Sequence, residues 1–416
     1  MTRLATHREW GPPDGASDAS RITRRSVLQG AVGAVLLHSS RARAEVQPAA
    51  VEPIVVGMST ALSGPARALG TAMMRGVQAY LDVANAQGGI AGRPLRLEAL
   101  DDAYEPARCS ENVRRLIDQS HVFAIVGNVG TPTAAVTVPI ANEKKVPFFG
   151  PFTGAGLLRK TPPDRYVVNF RASYAQETAE MVRGLVSDLR VSPERIAFFT
   201  QDDAYGDSGY SGATQALRAV GFDRPERLPH GRYPRNTSDV EGGLARILDP
   251  RVSPAAVIMV GAYSPCAKFI KLARRYGLRA VFANVSFVGS EALAAELGPA
   301  GEGVVVTQVV PHYDSDLPVV REYRAALLAE DVGFVSLEGF IVARAFVQVM
   351  RRAGAKADRE SFIDVLESGE GFDLGLDAPR ALSRDVHQFS NRVWPTYIRG
   401  GRFVPMRSWG DLAGGK

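Results

Sequence analysis

From Ile54 to Val309 the chain repeats one unit, a short apolar run followed by a longer stretch with helical spacing. The runs are Ile54–Met58, Leu95–Leu100, Phe123–Val126, Pro147–Gly150, Ile196–Thr200, Ala256–Val260, Ala280–Ala283 and Val304–Val309. Helical stretches separate them, at 71–86, 107–119, 132–143, 175–190, 207–220, 238–248, 265–276 and 290–297. Strands that are largely apolar need cover on both faces, and the intervening helices supply it. The pattern therefore predicts an α/β fold with doubly wound parallel sheets. Val167-Val168-Asn169-Phe170-Arg171 reads as an extended segment leading out of one lobe, and a second crossing is expected near Val309–Tyr313. Two long helices follow, at about 318–330 and 335–353, and the chain closes with a hairpin, Val393–Arg399, Gly400-Gly401, Phe403–Met406.

The first 44 residues read as an address. Thr23-Arg24-Arg25-Ser26-Val27-Leu28-Gln29 has a twin-arginine pattern, Gly30–Leu37 is apolar, and Ala42-Arg43-Ala44 offers an A-x-A cleavage site. Charged region, apolar region and small-residue site follow the order of an export signal, and the apolar part is far shorter than the ~20 residues that span a bilayer. No cysteine follows that stretch, so an acyl anchor is not supported. The signal carries seven Arg against three acids, a net +4 out of the formal +5 of the whole chain. The rest is close to neutral, which leaves no basic surface to suggest nucleic acid or a membrane. Its length suggests two domains.

Two pieces of the first unit carry more than a fold. Gly57-Met58-Ser59-Thr60-Ala61-Leu62-Ser63-Gly64-Pro65 puts a Ser-Gly-Pro turn at the carboxyl end of a strand, where open α/β sheets bind small ligands. Asn85-Ala86-Gln87-Gly88-Gly89-Ile90-Ala91-Gly92-Arg93-Pro94 then ends the helix at a double glycine. The order and wording of these pieces, continued along most of the remaining chain, resemble the branched-chain amino-acid (Leu/Ile/Val) binding proteins. Those are type I periplasmic solute-binding subunits of ABC importers. The resemblance implies two doubly wound lobes joined by a three-strand hinge, with lobe 1 at 54–170 plus about 312–370 and lobe 2 at 174–308 plus about 385–410. Its third crossing would lie near Phe372–Arg384. It further implies a periplasmic, monomeric, non-enzymatic protein without a cofactor or metal, which closes on a small-molecule ligand and docks on an ABC permease. A sensory binding protein for amides, urea-like compounds or aromatic acids is the alternative.

Val126-Gly127-Asn128-Val129-Gly130-Thr131-Pro132-Thr133 predicts a strand end at Gly127 and a helix with Thr131 as N-cap and Pro132 at its first position. Free amides at such a start attract carboxylates, and the Thr131 hydroxyl either caps the helix or faces a ligand. The resemblance assigns ligand contacts to Val129, Gly130 and Thr131, and to Phe152, Thr153 and Gly154 after the next strand. There the chain departs from the family's small-small-threonine run: Gly154 stands where the threonine is usual, and Phe152 is bulky. From the second lobe it carries over Tyr205, in Gln201-Asp202-Asp203-Ala204-Tyr205-Gly206, and Tyr263, in Gly261-Ala262-Tyr263. The glutamate that pairs with a ligand ammonium in the family falls at about Ser286, next to Phe287. Glu338, Asp202 and Glu291 are candidate substitutes. Without one, the ligand lacks an α-ammonium, and the aromatic residues exceed what an aliphatic amino acid requires.

Gly206-Asp207-Ser208-Gly209 copies the nucleophile signature of trypsin-like proteases, but here it opens a helix in an α/β pattern. The six histidines, His7, His38, His121, His230, His312 and His387, stand singly, without metal-ligand spacing. Asp101-Asp102 looks like a metal pair; the resembling family ends its second strand the same way, for structural reasons. Cys109 and Cys266 fall in different lobes and are expected to be reduced and partly buried. An exported hydrolase is the remaining, remote enzyme reading.

Overall fold

The computed structural model describes residues 51–249 and 253–412; the expected export signal lies outside the described residues. The first sheet is wholly parallel. Its strands are β1 (Ile54–Thr60), β2 (Leu95–Asp101), β3 (Ala124–Val126), β4 (Phe148–Phe149) and β5 (Val167–Val168), in the order β2-β1-β3-β4-β5. Helices α1 (Arg67–Ala86), α2 (Pro106–Asp118) and α3 (Thr131–Lys144) connect them.

After β5 the chain enters α4 (Tyr174–Arg183) and builds a second sheet. Its elements are β6 (Ile196–Gln201), α5 (Ala204–Ala219), β7 (His230–Tyr233), α6 (Glu241–Ile247), β8 (Ala256–Val260), α7 (Tyr263–Arg275), β9 (Val281–Asn284), α8 (Ser290–Leu297) and β10 (Val305–Gln308). There follow α9 (Pro318–Ala326), α10 (Phe334–Ala353), α11 (Arg359–Leu366) and the hairpin β11 (Trp394–Arg399) and β12 (Arg402–Pro405). The sheet order is β12-β11-β10-β9-β8-β6-β7, parallel except for the hairpin. Strand β8 is buried along its whole length, as expected of a strand covered on both faces. The long helix α10 packs along α1, which returns this late part of the chain to the first sheet.

The apolar pattern missed β7, because His230-Gly231-Arg232-Tyr233 alternates half-buried polar with buried positions at the sheet's edge. It also ran α4 too far. The α-helix ends at Arg183 and a wider turn continues to Asp188, where the Trp409 ring lies against Gly184. The segment running beside the first crossing is later than expected: Asn169 pairs with Gln388, Phe389 N donates to Asn169 O and Ser390 N to Phe170 O. Cys109 and Cys266 are free and fully buried. No helix among the described residues is long and apolar enough to cross a membrane.

Candidate functional site

The carboxyl ends of β3 and β4 are tied together before any ligand is considered. Asn128 Oδ1 accepts Ser59 N at 2.9 Å, anchoring the turn to β1. Phe152 N donates to Asn128 O and Gly130 N to Phe152 O, and Val129 bridges Phe152 in parallel. Gly130 has φ 108°, and a Cβ there would stand 2.1 Å from the Tyr104 ring, so a side chain is excluded. This same Gly130 holds the capping position of α3 and Thr131 is already helical, which corrects the expected N-cap. The Thr131 hydroxyl instead lies 2.7 Å from the Thr153 hydroxyl, with both residues fully buried. Gly154 passes against Tyr174, where a Cβ would come 2.7 Å from the ring, and Gly154 O accepts Tyr174 N.

The acidic pair after β2 is structural. Asp101 gathers the amides of Leu62, Ser63 and Ala103 and the Ser63 hydroxyl, which fixes the Ser-Gly-Pro turn. Asp102 accepts the Ser59 hydroxyl at 2.7 Å and Tyr104 N at 2.8 Å, aiming the Tyr104 side chain. From the second sheet, Asp203 caps α5 by accepting Tyr205 N at 3.0 Å. Tyr205 is fully buried and donates its hydroxyl to Gly261 O at 3.2 Å. Its ring centroid lies 4.5 Å from Phe287 and 5.3 Å from Tyr174. Phe287 in turn meets Phe152 at 5.3 Å and Tyr104 at 6.1 Å. Rings from both sheets thus form one cluster at the strands' carboxyl ends.

Sequence reasoning missed two charged residues, Arg171 and Glu177. Arg171, in the first crossing, is fully buried, with its guanidinium 4.4 Å from the Phe152 ring centroid. Its Nε lies 3.2 Å from Glu338 Oε1, and its Nη2 donates to the Ser286 hydroxyl. Glu177 accepts Ser286 N at 2.7 Å, the Ser286 hydroxyl at 3.0 Å and the Thr307 hydroxyl at 2.7 Å. Burial opposes the Arg171 charge, but Glu338 and Glu177 outweigh it and hold its pKa above the usual value. Burial pushes the Glu338 carboxyl up to about 7 against the pull of Arg171, and raises Glu177 as well. The sequence offered one signal for Arg171, a lone cation inside the apolar crossing Val167-Val168-Asn169-Phe170-Arg171; nothing marked Tyr174, Glu177 or Tyr104.

Most of the expected ligand residues therefore converge: Val129, Gly130, Thr131, Phe152, Thr153, Gly154, Tyr205 and Phe287. Ser286 joins them, but its amide and hydroxyl are committed to Glu177 and Arg171. Tyr263 starts α7 and lines a separate cavity of about 530 Å³ with Arg67, Glu291, Asp331 and Ser336. Of the three candidate acids, Glu338 is at the cluster. Asp202 is 61% exposed and pairs with Arg232, while Glu291 accepts Phe334 N at 3.0 Å. The Gly206-Asp207-Ser208-Gly209 run lies inside α5, and Ser208 Oγ accepts Gly156 N at 3.3 Å.

Two doubly wound lobes, joined by chain crossings and presenting aromatic and polar groups to each other, define a bilobal ligand-binding protein of the type I periplasmic class. The chain belongs to the periplasmic binding protein family, whose model matches residues 53–402. It is similar to a crystal structure described as a possible leucine/isoleucine/valine-binding protein from Rhodopirellula baltica SH 1, at 48% identity and TM-score 0.84, covering 88% of this chain and 100% of that one. An amino acid binding protein of Pseudomonas aeruginosa is 26% identical over 334 residues, 77% of this chain and 81% of its own length. Leu/Ile/Val-binding protein homolog 7 of Brucella abortus is 25% identical over 256 residues, 59% of this chain; the match spans 61% of that relative's length, under two thirds. Members of this family are binding proteins rather than enzymes, and the family implies an extracytoplasmic location.

Proposed function

We propose that the protein is the solute-binding subunit of an ABC importer, exported to the periplasm by its twin-arginine signal. It captures an amino acid or a related small amphipathic molecule by hinge closure and presents it to a permease. The reading is carried by one observation: Phe152 of the lobe that holds the Thr131–Thr153 pair meets Phe287 of the other, which packs on Tyr205, at the carboxyl ends of both sheets, where such folds bind ligands. The crossings let the lobes bend as rigid bodies, a motion for which periplasmic binding proteins are themselves a standard example. A thermal-shift screen of amino acids, amides, ureas and carboxylic acids tests this, because a solute that binds the folded state raises its melting temperature. A panel without any shift would contradict the reading.

A further inference from the structure

Resting on that solute-binding reading, we propose that the cleft selects an organic acid with a ring-sized apolar body and no ammonium group, and that Arg171 and Tyr174 set the selection. A buried ammonium needs a carboxylate of its own, and each carboxylate near the cluster is engaged. Both Glu177 oxygens accept hydrogen bonds, from Ser286 and Thr307. Glu338 faces Arg171 at 3.2 Å, so an ammonium placed on Glu338 would stand against a guanidinium. Asp203 accepts from Tyr205 N and from Gln201 Nε2, and Glu291 from Phe334 N.

The donors are in the opposite condition. Arg171 Nε faces Glu338, but Arg171 Nη1 and Tyr174 Oη are buried without a hydrogen-bond partner. The Thr131 and Thr153 hydroxyls share one hydrogen bond, which leaves one of their hydrogens free. An ionised carboxylate accepts and never donates, so it matches this surplus. The surrounding rings of Tyr104, Phe152, Tyr205 and Phe287 match a flat or branched apolar body.

Matched pairs test the proposal on the protein without its signal: 3-phenylpropionate against L-phenylalanine, and 4-methylpentanoate against L-leucine, each pair differing in the ammonium. Calorimetry is expected to show the acid of at least one pair binding about tenfold or more tighter than its amino acid, because burying an unpartnered charge is selective. Tyr174→Phe keeps the ring packing and should weaken the acid about five- to tenfold. Glu338→Gln removes the negative charge that faces Arg171 and should tighten the acid, by about two- to fivefold. Amino acids binding as tightly as their acids in both pairs overturn the proposal, and so does a selective loss of amino-acid binding in Glu338→Gln. Failure of both acids to bind overturns it too. The solute-binding reading falls separately, when a wider panel that also holds amino acids and amides gives no melting shift.

Discussion

Arg171 and Glu338 face each other at 3.2 Å with 1% and 2% of their side chains exposed, one from the crossing between the lobes and the other from α10, which packs on α1 of the first lobe. A buried pair of this kind contributes little against an apolar alternative, but breaking it on one side is expensive. Glu338→Ala is therefore expected to destabilise the protein by roughly 3–5 kcal/mol, because it strands a buried guanidinium. Glu338→Gln, which keeps volume and an acceptor, should cost less. Urea unfolding of the two variants checks the order.

Thr131 has a different signature. Its hydroxyl bonds Thr153 rather than capping α3, so Thr131→Ala should lower stability by about 1 kcal/mol. The same change removes a donor beside the helix start and should weaken carboxylate binding. Calorimetry and melting measured on one preparation separate the two effects; a large stability loss with unchanged affinity would return Thr131 to a structural role.

Tyr205 is fully enclosed by protein, and truncation to alanine should cost about 3–5 kcal/mol, the range for a buried aromatic. Tyr205→Phe is the informative variant. It loses the bond to Gly261 O and should cost about 1 kcal/mol in denaturant unfolding.

Glu291 links α8 of the second lobe to the amino end of α10, and burial raises its carboxyl to about 7 from 4.5. The folded protein thus retains a proton that the unfolded chain has released. This contribution favours folding at low pH, declines as pH rises from about 4.5 to about 7, and is flat above that. Glu291→Gln removes it while keeping an acceptor for Phe334 N. The variant's stability relative to the parent should rise across that window by roughly 2–3 kcal/mol. Paired melts at pH 5 and pH 8 measure it, and an unchanged difference would place the carboxylate in contact with solvent.

Both cysteines are buried, and burial pushes the Cys109 thiol up to about 12 and raises Cys266 as well. Neither is expected to react with a thiol reagent in the folded protein, whereas both should react in denaturant. Rapid native labelling would contradict this.

The alternation of apolar runs and helices made both sheets legible, and glycine turns such as Val126–Gly130 located the loops that carry the site. The same alternation gave no sign of β7, where His230 and Arg232 are polar and Gly231 has no side chain. The charged cluster was illegible for another reason. Glu338 lies far from Arg171 and Glu177 in the chain, and their pairing depends on how the first crossing and α10 converge. Thr131 shows the limit of local rules: a threonine before a proline reads as a cap, yet Gly130 takes that place because its φ of 108° is closed to side chains.

Closure of the two lobes on a solute is the central claim. In the present structure they touch across the cleft, with Asn236 Nδ2 donating to Glu105 Oε1 at 2.6 Å and Arg235 pairing with Glu105 at 2.9 Å. Because the native cysteines are buried, spin labels can be placed at exposed Glu111 and Asp239, one on each lobe. Electron–electron distance measurement should give a longer, broader distribution without solute, and a shorter, sharper one with the compound selected by the thermal screen. An identical distribution in both states, with binding verified by calorimetry, would contradict the account.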